Sequence, residues 1–395
     1  VKQFTVIILT RDDVELRPLT EYRPKTLLKV LGKPLIQYLI DVFKNVGLRS
    51  LILITKDPQT YSKELQLEGL DVEYVTYGSN SWKGLLNALE LVTSEEVIIA
   101  YGDVITSEDA IKALITNHLV KSSECSLMAV PVISVKNYVK LDIDEEGRVK
   151  NAELSYERTP GYIFGNIAIM NRKFVKLLMN VHGDLLEFLS KYVKNHNVHA
   201  IPWTELWISI EYPWDLIITA KTLLDKVSTA RISLEAKISA KAVIEGPVII
   251  DAQAEIDHDA IIRGPVYIGK KVYVGNNALI RNYSCIEDNC TIGANTEITE
   301  SIIQSRVTIG RNVFIGNSVI GEEVIVEPGV VTLSVLPPEI EVEHIPVTVV
   351  RGKRMIKLGV IIGSKARVGA NSVIYPGTMI NAKEIINPLS TVKPR

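Results

Sequence analysis

Cysteine is scarce in this chain, with three residues (Cys125, Cys285, Cys290) in 395. So few, so scattered, they support neither a disulfide framework nor a zinc site. No apolar run reaches the roughly 18 residues that a membrane-spanning helix needs, and no basic segment precedes an apolar one at the start. The formal net charge is −2, and nothing in it attracts nucleic acid or an anionic membrane. A cytoplasmic, soluble protein with no nucleic-acid and no membrane partner is expected. The most telling lack is local. Val6-Ile7-Ile8-Leu9 reads as a buried parallel strand. Phosphate-cradling turns follow such strands and need glycine, for positive φ and for close backbone approach. Here the following loop has no glycine and carries Asp12, Asp13 and Glu15.

Hydrophobic residues make up 47% of the chain, ample for large cores, and its length predicts two domains. Up to about residue 228 short apolar runs alternate with amphipathic ones, the signature of α/β architecture. Strands are expected over 50–54, 72–76, 96–100, 126–132, 139–144, 149–155 and 163–170. Between them fall helices near 60–67, 85–92, 107–118, 185–194 and 213–224, the last with Pro213 at its first position. A helix from Pro34 places Leu35, Leu39, Val42, Phe43 and Val46 on one face, and Gly47 stands where a C-terminal cap belongs. The strand over 96–100 runs into Tyr101-Gly102-Asp103. That puts a carboxylate at the strand edge where open α/β sheets bind ligands.

After residue 229 the period changes. Aliphatic residues recur every six positions from Ile232 through Ile238, Ile244 and onward to Ile298. The register slips by one to Ile303, slips again to Ile320, and resumes as Ile356, Ile362, Val368, Ile374, Ile380 and Ile386. Neither a helix nor a flat strand has this period. A left-handed parallel β-helix does, since each face of its triangular coil uses one hexad. Glycines beside the inward residue (Gly269, Gly275, Gly293, Gly310) fit its turns. An inserted loop over about 336–355, with Val342, Ile345, Val347 and Val349, suggests a hairpin-like excursion. The expected fold is therefore α/β, a Rossmann-like domain (1–228) followed by a left-handed parallel β-helix (229–395).

That order resembles the sugar-1-phosphate nucleotidylyltransferases, the nucleotide-sugar pyrophosphorylases, and is most like archaeal two-domain members that also carry an amino-sugar acetyltransferase. The resemblance rests on Leu16-Arg17-Pro18-Leu19-Thr20, Arg23-Pro24-Lys25, Gly32-Lys33-Pro34-Leu35, Gly102-Asp103 and Tyr212-Pro213-Trp214-Asp215-Leu216. It implies in-line attack of a sugar phosphate on the α-phosphorus of a nucleoside triphosphate, with Mg²⁺ and cations neutralising charge. It assigns Lys25 to phosphate and Asp103 to Mg²⁺. The alternatives are a solvated loop lysine and a strand-end residue. If the chain is active, Lys25, Asp103 and Arg158 carry the chemistry, with Arg11, Lys25 and Arg158 binding phosphates and Mg²⁺ as cofactor.

Against that pattern the ligand positions are altered. The triphosphate-gripping arginine corresponds to Glu15, and the glycines before it to 11–14. A unit-charge contact near 4 Å is on the order of 4 kcal/mol even at an effective dielectric of about 20. The base-reading glutamine corresponds to Tyr77, the sugar-contacting Asn-Ala-Gly to Phe164-Gly165-Asn166, and the Glu-Lys-Pro to Glu157-Arg158-Thr159-Pro160. The second metal carboxylate corresponds to Ser209, a neutral replacement for an anionic ligand. In the β-helix, Phe314-Ile315-Gly316-Asn317-Ser318 matches an acetyltransferase segment, but Arg311-Asn312 stands where its base histidine belongs. His258 and His344 lie elsewhere. Three functions follow: a catalytically impaired regulatory or scaffolding subunit, an active nucleotidylyltransferase with a rewired pocket, or an acyltransferase on the β-helix. The first implies a partner, either copies of the chain in a β-helix trimer or an active paralogue.

Overall fold

A computed structural model of the protein describes residues 4–10, 16–78, 81–181, 183–336, 347–350 and 353–394. The chain forms two compact units, Val1–Asp12 with Pro34–Ser209 and Asp13–Lys33 with Ile210–Arg395. The division therefore does not fall at one point in the sequence. A segment of some twenty residues belongs, by its contacts, to the unit built mostly from the second half.

The first unit is a Rossmann-like layer. Phe4–Leu9 lies between Glu96–Tyr101 and Ser50–Thr55, parallel to both, and Asp71–Thr76 extends that side. Gly161–Asn171 pairs antiparallel with Glu96–Tyr101 and carries the sheet onward to Cys125–Val132 and to Val139–Ile143. The central strand is apolar from Val6 to Leu9 (Val6, Ile7 and Ile8 fully buried), as expected of a strand covered on both faces. Helix Leu35–Val46 buries Leu35, Leu39 and Phe43 and ends at Gly47, whose φ of 95° is the left-handed cap its position suggested. Helices Pro58–Glu64 and Ser81–Leu91 complete the alternation. Helix Arg172–Leu178 and strand Val198–Pro202 carried no sequence signal strong enough to be expected.

In the second unit, parallel strands of two or three residues stack in three eight-stranded sheets, the arrangement of a left-handed β-helix. The inward hexad residues from Ile250 to Ile298 are 0–1% exposed, and so are their continuations Ile303, Ile309, Ile315, Ile320 and Val326. The first coil is an end with nothing beneath it, so Ile238 and Ile244 are half-buried and Ile232 is exposed. Ile356 does not belong to the ladder. It lies in a hairpin, Val347–Val350 against Lys353–Ile356, and the stack resumes with Ile362 opposite Ile320. The hairpin is the excursion the sequence suggested, while Val342 and Ile345 fall outside the described residues. Pro213 is not the first helical residue either, since helix Asp215–Leu224 begins two positions later. Asp215 Oδ2 accepts the Glu211 and Tyr212 N–H groups (2.8 and 2.7 Å), which ties the approach to the helix to its first residue.

The hexad glycines serve stacking, not turning. A Cβ on Gly293 would run into the Gly310 carbonyl of the next coil, and one on Gly275 would lie 2.9 Å from the Ala294 nitrogen. Positive φ recurs at the corners on varied residues, among them Lys271, Arg306, Glu323, Lys365 and Gly329, and asparagine is the most frequent: Asn277, Asn295, Asn312 and Asn371, at 56°, share one column. Asparagine tolerates this conformation better than other residues with a side chain.

Candidate functional site

At the carboxyl edge of the first unit's sheet two parallel strands end together. Leu9 is opposite Tyr101 in the parallel ladder, and the Gly102 N–H donates to the Leu9 carbonyl (2.9 Å). The two loops that leave these strands therefore start side by side. One is 11–15, which holds Arg11, Asp12, Asp13 and Glu15 and lies outside the described residues. The other is the turn carrying Asp103, which is 2% exposed.

Beyond that turn, Val104–Thr106 pairs antiparallel with Trp207–Ser209, and Ser209 is opposite Val104. The ladder thus sets Ser209 beside the residue that follows Asp103. This is where the resemblance wants a second carboxylate, and a buried hydroxyl stands there instead (7% exposed). Asn166 Nδ2 donates to it at 3.4 Å. Asn166 has φ of 61° at a break in the pairing between Phe164 and Ala168, and Trp207 Nε1 donates to the Gly165 carbonyl (3.0 Å). An irregular strand of this kind redirects its side chains, here the Asn166 amide toward Ser209.

The resemblance implies a Mg²⁺ pair at these positions. Hard divalent cations need several oxygen ligands, anionic ones foremost. Among the described residues no group of three His, Cys, Asp or Glu side chains could hold a metal ion. Among the described residues, Asp103 and a neutral Ser209 supply one anionic ligand where the resemblance implies two.

The remaining site positions are occupied by tethered or apolar side chains. Tyr77 donates through its hydroxyl to the Thr10 carbonyl (2.8 Å), at the exit of the first strand. Phe164 is 5% exposed in the core of this unit, which Tyr77 and Tyr101 flank. Arg158 is exposed on the segment between Val149–Leu154 and Gly161–Asn171. Lys25 belongs to the second unit. It is 2% exposed, in the short turn Lys25–Leu27, and its Nζ donates to the Ile210 carbonyl (2.8 Å). A solvated loop lysine it is not.

Two further arrangements bear on chemistry. Ser126 Oγ, His118 and Glu96 Oε2 form a hydrogen-bonded chain, each step 2.9 Å, with the residue types of a hydrolytic triad. The ring nitrogens are used in the reverse sense, Nδ1 toward the serine and Nε2 toward the carboxylate. All three residues are at most 4% exposed, and Glu96 begins its strand, at the opposite end from the loops described above. With no approach for a substrate, this is a satisfied buried network. In the β-helix, Arg311 and Asn312 are exposed, and His258 is a surface residue bonded to Asp257 (2.7 Å). His344 lies outside the described residues.

Sequence comparisons agree with this organisation. Residues 14–210 match the Nucleotidyl transferase family, residues 244–344 the GMPPB C-terminal domain, and residues 352–376 the hexapeptide repeat of succinyl-transferase. A bifunctional sugar-1-phosphate nucleotidylyltransferase/acetyltransferase of Sulfurisphaera tokodaii is 30% identical over 391 residues, covering 95% of this chain and 94% of that protein. The bifunctional protein GlmU of Methanocaldococcus jannaschii is 27% identical over 394 residues, covering 95% and 91%. That of Methanococcus maripaludis is 26% identical over 396 residues, covering 96% and 92%.

Proposed function

For a chain that belongs to the nucleotidyl transferase family and carries a hexapeptide-repeat second half, we propose a role as a catalytically impaired member that regulates or scaffolds an assembly. The observation that carries this reading is Ser209. It is set beside the Asp103 turn by the ladder with Val104, it is neutral, and it is hydrogen-bonded to Asn166. A single anionic ligand at this pair of positions holds Mg²⁺ weakly, and without the cation the transition-state charge would go unopposed. Tyr77 and Phe164 support the same reading, since a tethered phenol and a core phenyl ring replace groups that would contact base and sugar. The partner is a set of further copies, joined through the β-helix, or an active paralogue.

The test is calorimetric titration of the isolated chain with each nucleoside triphosphate in the presence of Mg²⁺. No measurable heat of binding is expected, and micromolar affinity for any one of them would overturn the reading. Ser209→Asp restores a carboxylate beside Asp103 and is expected to produce Mg²⁺ uptake that the parent chain lacks.

The second reading is an active nucleotidylyltransferase that makes a nucleotide-sugar from a sugar 1-phosphate, with Arg158 in place of the usual lysine. What favours it is the near full-length similarity to the bifunctional enzyme of Sulfurisphaera tokodaii. Micromolar Mg²⁺-dependent binding in the same titration would decide for it.

A further inference from the structure

Tyr267, Cys285, Ile302, Val319 and Ile361 point outward from one sheet of the coil stack, each opposite the next in the parallel ladder. Outward residues of a solenoid normally face water, yet all five are at most 2% exposed. The segment 16–33 and helix Asp215–Leu224 cover them, the helix packing on Ile302–Ile303. The segment is fixed by directed contacts. Gln304 brackets Lys29, accepting from its N–H (3.2 Å) and donating to its carbonyl (2.8 Å). Lys29 Nζ meets Asp288 at 2.9 Å, and Arg23 meets Glu322 at 3.3 Å. Leu31 N–H donates to Cys285 Sγ (3.3 Å). Gly32 N–H donates to Glu287 Oε2 (3.0 Å), at a φ of 77°, and a Cβ there would collide with the Tyr267 hydroxyl.

Glu287 is the unusual member of this seat. It is 0% exposed, and its other oxygen accepts the Cys285 S–H (3.0 Å). A carboxyl group sealed beneath a removable segment couples its proton to the segment's position. We propose that residues 16–33 form a pH-responsive strap, seated in mild acid and loosened as pH rises through neutrality, with Glu287 as the titrating group.

The sign follows from burial. Desolvation raises the Glu287 carboxyl from 4.5 to about 7, and nearby Asp288 pushes the same way. Lys29, the Gly32 N–H and the Cys285 thiol oppose the rise but do not cancel it. Tyr267 is bonded to Asp251 (2.7 Å), and Cys290 is buried in the same coil. Once the strap lifts, water returns the carboxyl to its ordinary range. The seated form therefore holds the proton more tightly. Its advantage is complete below the ordinary value and is lost as pH climbs to about 7. Both carboxyl oxygens act as acceptors in the seat, Oε2 from the Gly32 N–H and Oε1 from the Cys285 S–H. This strap carries the Arg23-Pro24-Lys25 segment, so its seating also fixes the backbone that bears Lys25. None of this depends on whether the chain is catalytically impaired.

Hydrogen exchange of amides 29–32 in the full chain, corrected for intrinsic rates, reads the strap directly. Between pH 5 and 8 the opening equilibrium is expected to rise by on the order of tenfold or more. Alkylation of Cys285, beneath the strap, should rise in parallel relative to Cys290, inside the coil. Glu287→Gln should abolish the pH dependence of both readouts. Lys29→Met removes the opposing cation and should move the transition to higher pH, which keeps the idea falsifiable if Glu287→Gln does not fold. A flat profile in the parent chain, the same slope in Glu287→Gln, or an unmoved transition in Lys29→Met would overturn it.

Discussion

A glycine can be required for different reasons, and this chain separates two of them. Gly47 has φ of 95° and open space where a Cβ would go. Replacing it with alanine costs only the left-handed strain, about 1 kcal/mol. Gly293 has no such φ, but a Cβ there collides with the Gly310 carbonyl of the next coil. Backbone cannot step aside as a side chain can, so Gly293→Ala is expected to cost about 2–3 kcal/mol through overpacking. Denaturant unfolding of both variants measures the difference. Equal costs would show that the coils yield to a methyl group. Asparagines in the corner column are a third case, where Asn295→Val forces a β-branched residue to φ of 56°. The sequence offered glycine as the turn residue of the β-helix. The corners instead use varied residues, asparagine the most frequent, since its short side chain lowers the cost of the left-handed region.

At the scale of elements, legibility follows periodicity. The six-residue spacing identified the stack because every coil repeats the same inward position. The hexad misled only where the repeat is interrupted, at Ile356, which shares the spacing by coincidence and lies in the hairpin. Strand Trp207–Ser209 has no periodic signal at all, being three residues long, yet its pairing with Val104–Thr106 determines where Ser209 lies. That position was readable only through the resemblance. The strap was unreadable for a different reason. Its partners Cys285, Glu287 and Gln304 are some 250 to 275 residues away in sequence, and no local pattern encodes such contacts. Coils also differ in what they contribute to stability. Ile280 is fully buried between neighbours, whereas Ile244 lies in the half-covered first coil. Ile280→Ala should cost about 2–4 kcal/mol and Ile244→Ala about half as much, measured by denaturant unfolding. Equal values would argue against a stack stabilised by nearest neighbours.

For the whole molecule, the division into two units crosses the sequence in a way that composition conceals. The change of period near residue 229 invites a cut there, giving a β-helix fragment 229–395. Such a fragment retains the complete inward ladder and can form its coils. It lacks both covers of the outer face, the strap 16–33 and helix Asp215–Leu224. Ile302, Val319 and Ile361 would then face water together with Tyr267 and Cys285, in one contiguous ladder. Exposed apolar patches of this kind drive association. The fragment is therefore expected to bind a hydrophobic dye and to self-associate, and its Cys285 to be alkylated much faster than in the full chain. Adding a peptide of residues 16–33 should slow that alkylation, because the Gln304 and Glu287 contacts are with strap backbone that the peptide still supplies. A monomeric fragment with protected Cys285 would mean that the outer face is covered by something other than the strap and the helix.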